Sequence, residues 1–125
     1  MIKLKKLLFE HVEGDLFVNA NDHNVSVHTK TGPFGLSTAS IDNLGDGRWW
    51  VSRVLVAVRN MRGQGIGSKI LQRAVQEVLK RDPNAKIIVS PGGYDNNTEQ
   101  QFNFYKKNGF VPLDGDPDSL IYKGK

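Results

Sequence analysis

No cysteine occurs among the 125 residues, which excludes a disulfide framework, a cysteine nucleophile and a thiolate metal site. A reducing cytoplasm is the setting this composition leads us to expect. Histidine is sparse as well. His11, His23 and His28 stand apart, and even with Asp22 beside His23 they lack the spacing of a zinc site. Long apolar runs are also missing. Lys3, Lys5 and Lys6 precede Leu7, Leu8 and Phe9, but Glu10 and His11 end that run well short of a signal-peptide core, and nothing approaches membrane-spanning length. Repeats, low-complexity segments and linkers are absent too. What remains, 38% hydrophobic and 24% charged, is the composition of an ordinary globular protein of a length suited to one domain, residues 1–125. The formal charge of +4 and the pI near 9.4 favour polyanionic ligands, although no arginine-rich run concentrates the charge.

The most informative stretch begins at Arg62 and reads R-G-Q-G-I-G-S-K-I-L. Ahead of it, residues 49–58 are rich in β-branched and aromatic side chains over the length of one buried strand. Behind it, Ile66, Ile70, Leu71, Ala74, Val75, Val78 and Leu79 recur at helical spacing, and Asp82-Pro83 predicts the stop. Gly63, Gly65 and Gly67 let the backbone turn sharply and approach a ligand, so that several N–H groups converge at the positive end of the helix dipole. Such a place suits a phosphate or pyrophosphate. It is not a P-loop, because Ser68-Lys69 come in the wrong order after too short a spacing. A dinucleotide fingerprint fails as well, since its third glycine would fall on Ser68 and no acidic residue ends the next strand, 86–90.

Elsewhere the pattern predicts short strands at 16–20 and 25–29, joined by Asn21-Asp22-His23-Asn24, and a third at 36–41 after Thr31-Gly32-Pro33. Residues 1–13 fit either a helix or a strand. Residues 42–47, D-N-L-G-D-G, read as a loop. They imitate a calcium loop, but Leu44 stands at a ligand position and Arg53 where the closing glutamate belongs. Trp49 and Trp50 face opposite sides of their strand, one toward the core and one toward a cleft or its support. With the helix between them, the strands at 49–58 and 86–90 make a parallel βαβ unit, and 91–97 loop at a carboxyl strand end where α/β sheets hold ligands. Thr98 to Gln101 fits a capping box with Thr98 as N-cap, Asn108-Gly109 a helix end, and 110–113 with 119–123 a closing hairpin, the acidic 114–118 forming its loop.

Two motifs in order resemble a known family. Arg62-x-x-Gly65-x-Gly67 between strand and helix is similar to the acyl-CoA-binding signature of the GNAT N-acetyltransferases. Phe104-Tyr105-Lys106-Lys107-Asn108-Gly109-Phe110 resembles that family's late motif, Tyr-x-Lys-x-Gly-Phe. The resemblance implies an α/β (α+β) fold: a mixed, mostly antiparallel sheet with flanking helices, whose central parallel strands splay apart, here with a reduced amino-terminal half. It implies an acyltransferase that moves an acetyl group from acetyl-CoA to a primary amine by direct transfer, with no metal. Backbone groups of Val56, Ala57 and Val58 would pair with the pantetheine arm. Amides of Gly63, Gln64, Gly65, Ile66, Gly67 and Ser68 would hold the pyrophosphate beside Arg62, with Lys69, Arg73, Lys106 and Lys107 candidates for the remaining phosphate. An amide of Ala57 or Val58 would face the oxyanion, and Tyr105 would protonate the departing sulfur and contact the cofactor.

Departures from the family pattern fall around these residues. Thr98 occupies a register where relatives often carry asparagine, leaving Asn97 as the nearest counterpart; Arg59 replaces a common proline, and Ala57 a common valine. Residues 48–58 hold no carboxylate, so the base is open among Asp42, Asp95, Glu99, His28 and solvent. The two helices that usually wall the acceptor site have no counterpart in 14–50, so the wall is minimal or comes from the second subunit of a homodimer. The acceptor amine, on a small molecule or a protein, is undetermined. Two rivals stand beside the enzyme: an acyl-CoA-binding module without turnover, motivated by the missing carboxylate, and a basic nucleic-acid-binding protein, motivated by charge.

Overall fold

A computed structural model describes residues 16–29, 37–55, 65–91 and 98–124. Its core is a seven-stranded sheet in the order β1-β2-β3-β4-β5-β7-β6. The first four strands, β1 (Leu16–Ala20), β2 (Asn24–Thr29), β3 (Thr38–Gly45) and β4 (Arg48–Leu55), form an antiparallel ladder in which each pairs with the next. Alternation decides their faces. Val25, Val27, Ala39, Ile41, Trp49 and Val51 are buried on one side, whereas Asn24, Ser26, Ser40, Asp42 and Trp50 are only half-buried on the other. Of the tryptophan pair, Trp49 is thus the core residue, and its indole N–H donates to Asp82 Oδ2 at 3.4 Å.

Helix α1 (Ile66–Arg81) covers the apolar face with Ile70, Leu71, Ala74, Val75 and Val78, the stripe expected from its 3.6-residue period. Strand β5 (Lys86–Val89) then lies parallel to β4, and α2 (Thr98–Lys107), β6 (Phe110–Leu113) and β7 (Asp116–Tyr122) complete the chain, β7 pairing antiparallel with both β5 and β6. Both described helices lie on one face, since Tyr105 of α2 belongs to the same buried cluster as the α1 stripe. Phe110 joins it at 1% exposure, edge-on to both Tyr105 and Tyr122.

Three boundaries differ from the sequence reading. The loop expected over 42–47 is strand through Gly45: an extra residue, Leu44, is absorbed as a bulge, and the turn shrinks to Asp46-Gly47. Gly45, Asp46 and Gly47 all have positive φ, at 91°, 55° and 76°, which explains the glycine pair. The closing strand begins at Asp116 rather than 119, because Asp116 Oδ1 and Oδ2 accept from the Asp118 N–H and the Ser119 hydroxyl and so order the acidic stretch. Thr98, expected as the N-cap, is already the first residue of α2. The reading of 1–13 lies outside the described residues.

Candidate active site

Strands β4 and β5 pair only at Arg48 with Lys86, Trp49 with Ile87 and Trp50 with Ile88. Beyond Trp50, β4 runs on to Leu55 bonded to β3, while Val89 of β5 pairs with Leu120 of β7. Among the described residues no ladder joins the two strands past that point, so a wedge opens between neighbours. A bulge accompanies it. Ile41 pairs with Val51 but Ser40 with Arg53, leaving Ser52 as the extra residue, and such a bulge bends and twists the strand that carries it. The expected splay of the central parallel strands is therefore present in the pairing.

At the start of α1, Gly65 is the N-cap in the left-handed region at φ 79°, ψ 9°, and its carbonyl accepts the first helical bond from the Lys69 N–H at 2.9 Å. A Cβ there would meet no described atom within 4 Å, so it is the conformation that calls for glycine. Among the described residues no side chain caps the start of this helix, and no acidic residue occurs in its first turn. The first amides thus keep their donors for an anion at the positive end of the dipole. Ile66, Gly67 and Ser68 are half-buried in that turn, Lys69 is exposed, and Arg73 is engaged by Glu77 at 3.2 Å.

Tyr105 reaches the core from the other helix. It is 7% exposed, packs edge-on against Phe104 and Phe110, and its hydroxyl has no hydrogen-bond partner among the described residues. Burial pushes its pKa up to about 12, so the phenol stays protonated and keeps a proton to donate. Lys106 and Lys107 are exposed near the end of α2. Of the base candidates, Glu99 is exposed and His28 is half-buried with its ring stacked on Phe17 at 5.6 Å. Asp42 accepts a bond from Asn24 Nδ2. Val56, Ala57, Val58, Arg59, Arg62, Gly63, Gln64, Asp95 and Asn97 lie outside the described residues.

Sequence reasoning missed Asn108 and Gln72. Asn108 is fully buried and links α2 to the first turn of α1 by donating to Ser68 Oγ at 3.0 Å. Gln72 completes the junction by donating to the Asn108 carbonyl at 2.8 Å. No local signal reveals this, because an asparagine before glycine at a helix end reads as a cap. Also unforeseen is a polar groove of about 410 Å³ on the sheet face opposite α1, lined by Asn24, Ser26, Ser40, Asp42, Ser52 and Arg53 with Thr38. No group of three or more metal-ligating side chains forms among the described residues.

Comparison with known proteins places this geometry. The family model described as "Acetyltransferase (GNAT) domain" matches residues 14–112, and the chain belongs to that family. Among curated proteins no sequence matches. Solved structures agree on the fold. A GNAT-family acetyltransferase from Staphylococcus aureus aligns at TM-score 0.65 and 16% identity over 94% of this chain and 77% of that one. A Klebsiella pneumoniae protein, assigned by inference to the acyl-CoA N-acyltransferases, aligns at 0.61 and 22% identity over 96% and 85%. An aminoglycoside 6′-N-acetyltransferase complexed with coenzyme A aligns at 0.56 and 15% identity over 90% and 74%.

Proposed function

We propose that this protein is an N-acetyltransferase that moves an acetyl group from acetyl-CoA to a primary amine without a covalent enzyme intermediate. The observation that carries the reading is the parting of β4 from β5 after Trp50, combined with an uncapped, glycine-started helix directly downstream. A strand edge without a neighbour can pair with the amides of a pantetheine arm as an added strand would. Val56, Ala57 and Val58, which follow β4 in the sequence, are assigned to this pairing. The amides of Gly63, Gln64, Gly65, Ile66, Gly67 and Ser68, with Arg62 beside them, are assigned to the pyrophosphate. Asn97, the residue before α2, is assigned a cofactor contact. The family match and the coenzyme A held by a structural neighbour support the same assignment.

In this mechanism the amine lone pair attacks the thioester carbonyl carbon, forming the C–N bond and placing negative charge on oxygen. An N–H of Ala57 or Val58 is assigned to stabilise that charge. Collapse breaks the C–S bond and leaves an amide and a thiolate. Tyr105, protonated at neutral pH, gives the thiolate its proton. The proton lost by the amine passes to water or to a carboxylate reached through water. Asp42 is the one described groove carboxylate, and its position is fixed by Asn24. We assign the acceptor to that groove, which lies beside the bulge in β4.

The test is product formation. Incubating the protein with acetyl-CoA and a panel of small amines and lysine peptides should release free thiol in step with an acetylated amine seen by mass spectrometry. Binding of acetyl-CoA with no thiol release across the panel would favour a non-catalytic acyl-CoA-binding module. A cytoplasmic location and a homodimer fit this reading and add nothing to its chemistry.

A further inference from the structure

We propose that Asn108 is a positioning residue that fixes the polarity of the Ser68 hydroxyl, turning it into a side-chain donor to the pyrophosphate of coenzyme A. The inference rests on the acyl-CoA reading above.

Asn108 follows α2 and precedes Gly109, whose φ of 96° turns the chain toward β6. A residue at that place ordinarily ends in solvent. Here the side chain is fully buried. Its Nδ2 donates to Ser68 Oγ at 3.0 Å and to the Phe104 carbonyl at 2.8 Å, which uses both amide hydrogens. Gln72 Nε2 approaches Asn108 Oδ1 at 3.3 Å and bonds its carbonyl at 2.8 Å, so the amide cannot flip without facing donor to donor and acceptor to acceptor. Because Oγ of Ser68 accepts from Asn108, the hydroxyl hydrogen must point elsewhere. Among the described residues no acceptor takes it. Ser68 is half-buried in the first turn of α1, beside amides that no described side chain caps. A hydroxyl donor held there adds to the amides in bonding an anion, and hydrogen bonds to charged groups are the stronger kind.

The same bridge sets the spacing of the two helices. The Asn108 N–H donates to the Tyr105 carbonyl at 2.9 Å, so one buried residue ties the helix bearing the proposed acid to the turn bearing the proposed phosphate donors.

Two substitutions separate polarity from packing. Asn108→Asp keeps the size but offers Ser68 an acceptor, which would draw its hydrogen inward. Ser68→Ala removes the hydroxyl and leaves the helix intact. Calorimetric titration with coenzyme A, and with pantetheine by competition, should give about a 10-fold weaker Kd for coenzyme A in each variant, the scale of one charge-assisted hydrogen bond. Pantetheine, which lacks the pyrophosphate, should bind all three proteins alike. The double variant should be no weaker than the worse single one, since both remove the same bond. Equal losses for pantetheine, additive losses in the double variant, or an unchanged coenzyme A affinity in Ser68→Ala would each overturn the proposal. If Asn108→Asp does not fold, Ser68→Ala alone decides it. A native protein that binds no coenzyme A would instead remove the acyl-CoA reading, and this proposal with it.

Discussion

The two halves of the sheet are built from the same kind of strand yet differ in what their ends and faces offer. In the carboxyl half, the parallel pair β4 and β5 parts early, a helix starts on a left-handed glycine without a cap, and a buried asparagine locks that start to a second helix. In the amino half, β1, β2 and β3 stay paired along their length, and the face opposite α1 carries a polar groove. The contrast follows from the tasks proposed for them. A cofactor with fixed phosphates is met by main-chain donors, whose placement depends on a few glycines and one junction. An acceptor is met by side chains on an ordinary ladder, where residues can change without disturbing the fold. A short motif can therefore declare the first half, and none declares the second.

The sharpest way to break this comparison is Tyr105→Phe. Loss of a general acid predicts a fall in kcat of about 100-fold or more, with the coenzyme A Kd unchanged within about 2-fold, measured by steady-state rates and calorimetry. If affinity falls and kcat holds, Tyr105 contacts the cofactor without serving as the acid. Burial has raised its folded pKa above the unfolded value near 10, to about 12. The stability contributed by the neutral phenol is therefore complete below pH 10 and lost as pH rises through about 12. Denaturation against pH should show the native chain weakening relative to Tyr105→Phe only in that window. The rate, likewise, should show no tyrosine ionisation below pH 10.

Next in size is the core that both halves share. Leu71→Ala, at 0% exposure on the α1 stripe, should cost about 2–5 kcal/mol in urea denaturation, enough to threaten a small domain. Asp42→Asn tests the polar face. It should raise the acceptor KM by about 10-fold, the scale of a lost charged hydrogen bond, while the coenzyme A Kd holds; a loss confined to coenzyme A would erase the division of labour between the halves. The smallest effect is expected on the solvent side of α1. Glu77 is pulled both ways: burial raises its pKa, but bonds and charges from Lys80 and Arg73 outweigh this and hold it below 4.5. Its contribution is present above the ordinary carboxylate pKa and fades as pH falls below it. Glu77→Gln should cost under about 1 kcal/mol at neutral pH and nothing in acid, by chemical denaturation.

How much of this was legible in the sequence differs between the same regions. The α1 stripe, its glycine start and the late aromatic motif were legible because each depends on neighbours within a turn or two. The turn at Asp46-Gly47 was misplaced for the opposite reason. Asp42, Asn43 and Leu44 carry turn chemistry, but Asn24 bonds Asp42, and Asn43 reaches the Asp22 carbonyl at 2.8 Å, so partners about 20 residues away keep the segment in the sheet. The parting of β4 from β5 was expected through resemblance alone. Locally both strands read as ordinary, and the bulge at Ser52 appears only once Ser40 and Ile41 have found their partners. Asn108 was hidden most completely, because its ligands Ser68 and Gln72 lie about 40 residues upstream.

The central claim is a coenzyme A site whose phosphates rest on the start of α1, and Gly65 tests it most directly. The φ of 79° is one that asparagine and aspartate tolerate better than other side chains, and no described atom lies within 4 Å of a Cβ there. Gly65→Asn and Gly65→Asp therefore differ mainly in charge. Calorimetric titration with acetyl-CoA should give saturable binding by the native chain, a modest loss in Gly65→Asn and a loss of about 100-fold or more in Gly65→Asp. Equal binding by the two variants, or none by the folded native protein, would contradict the account.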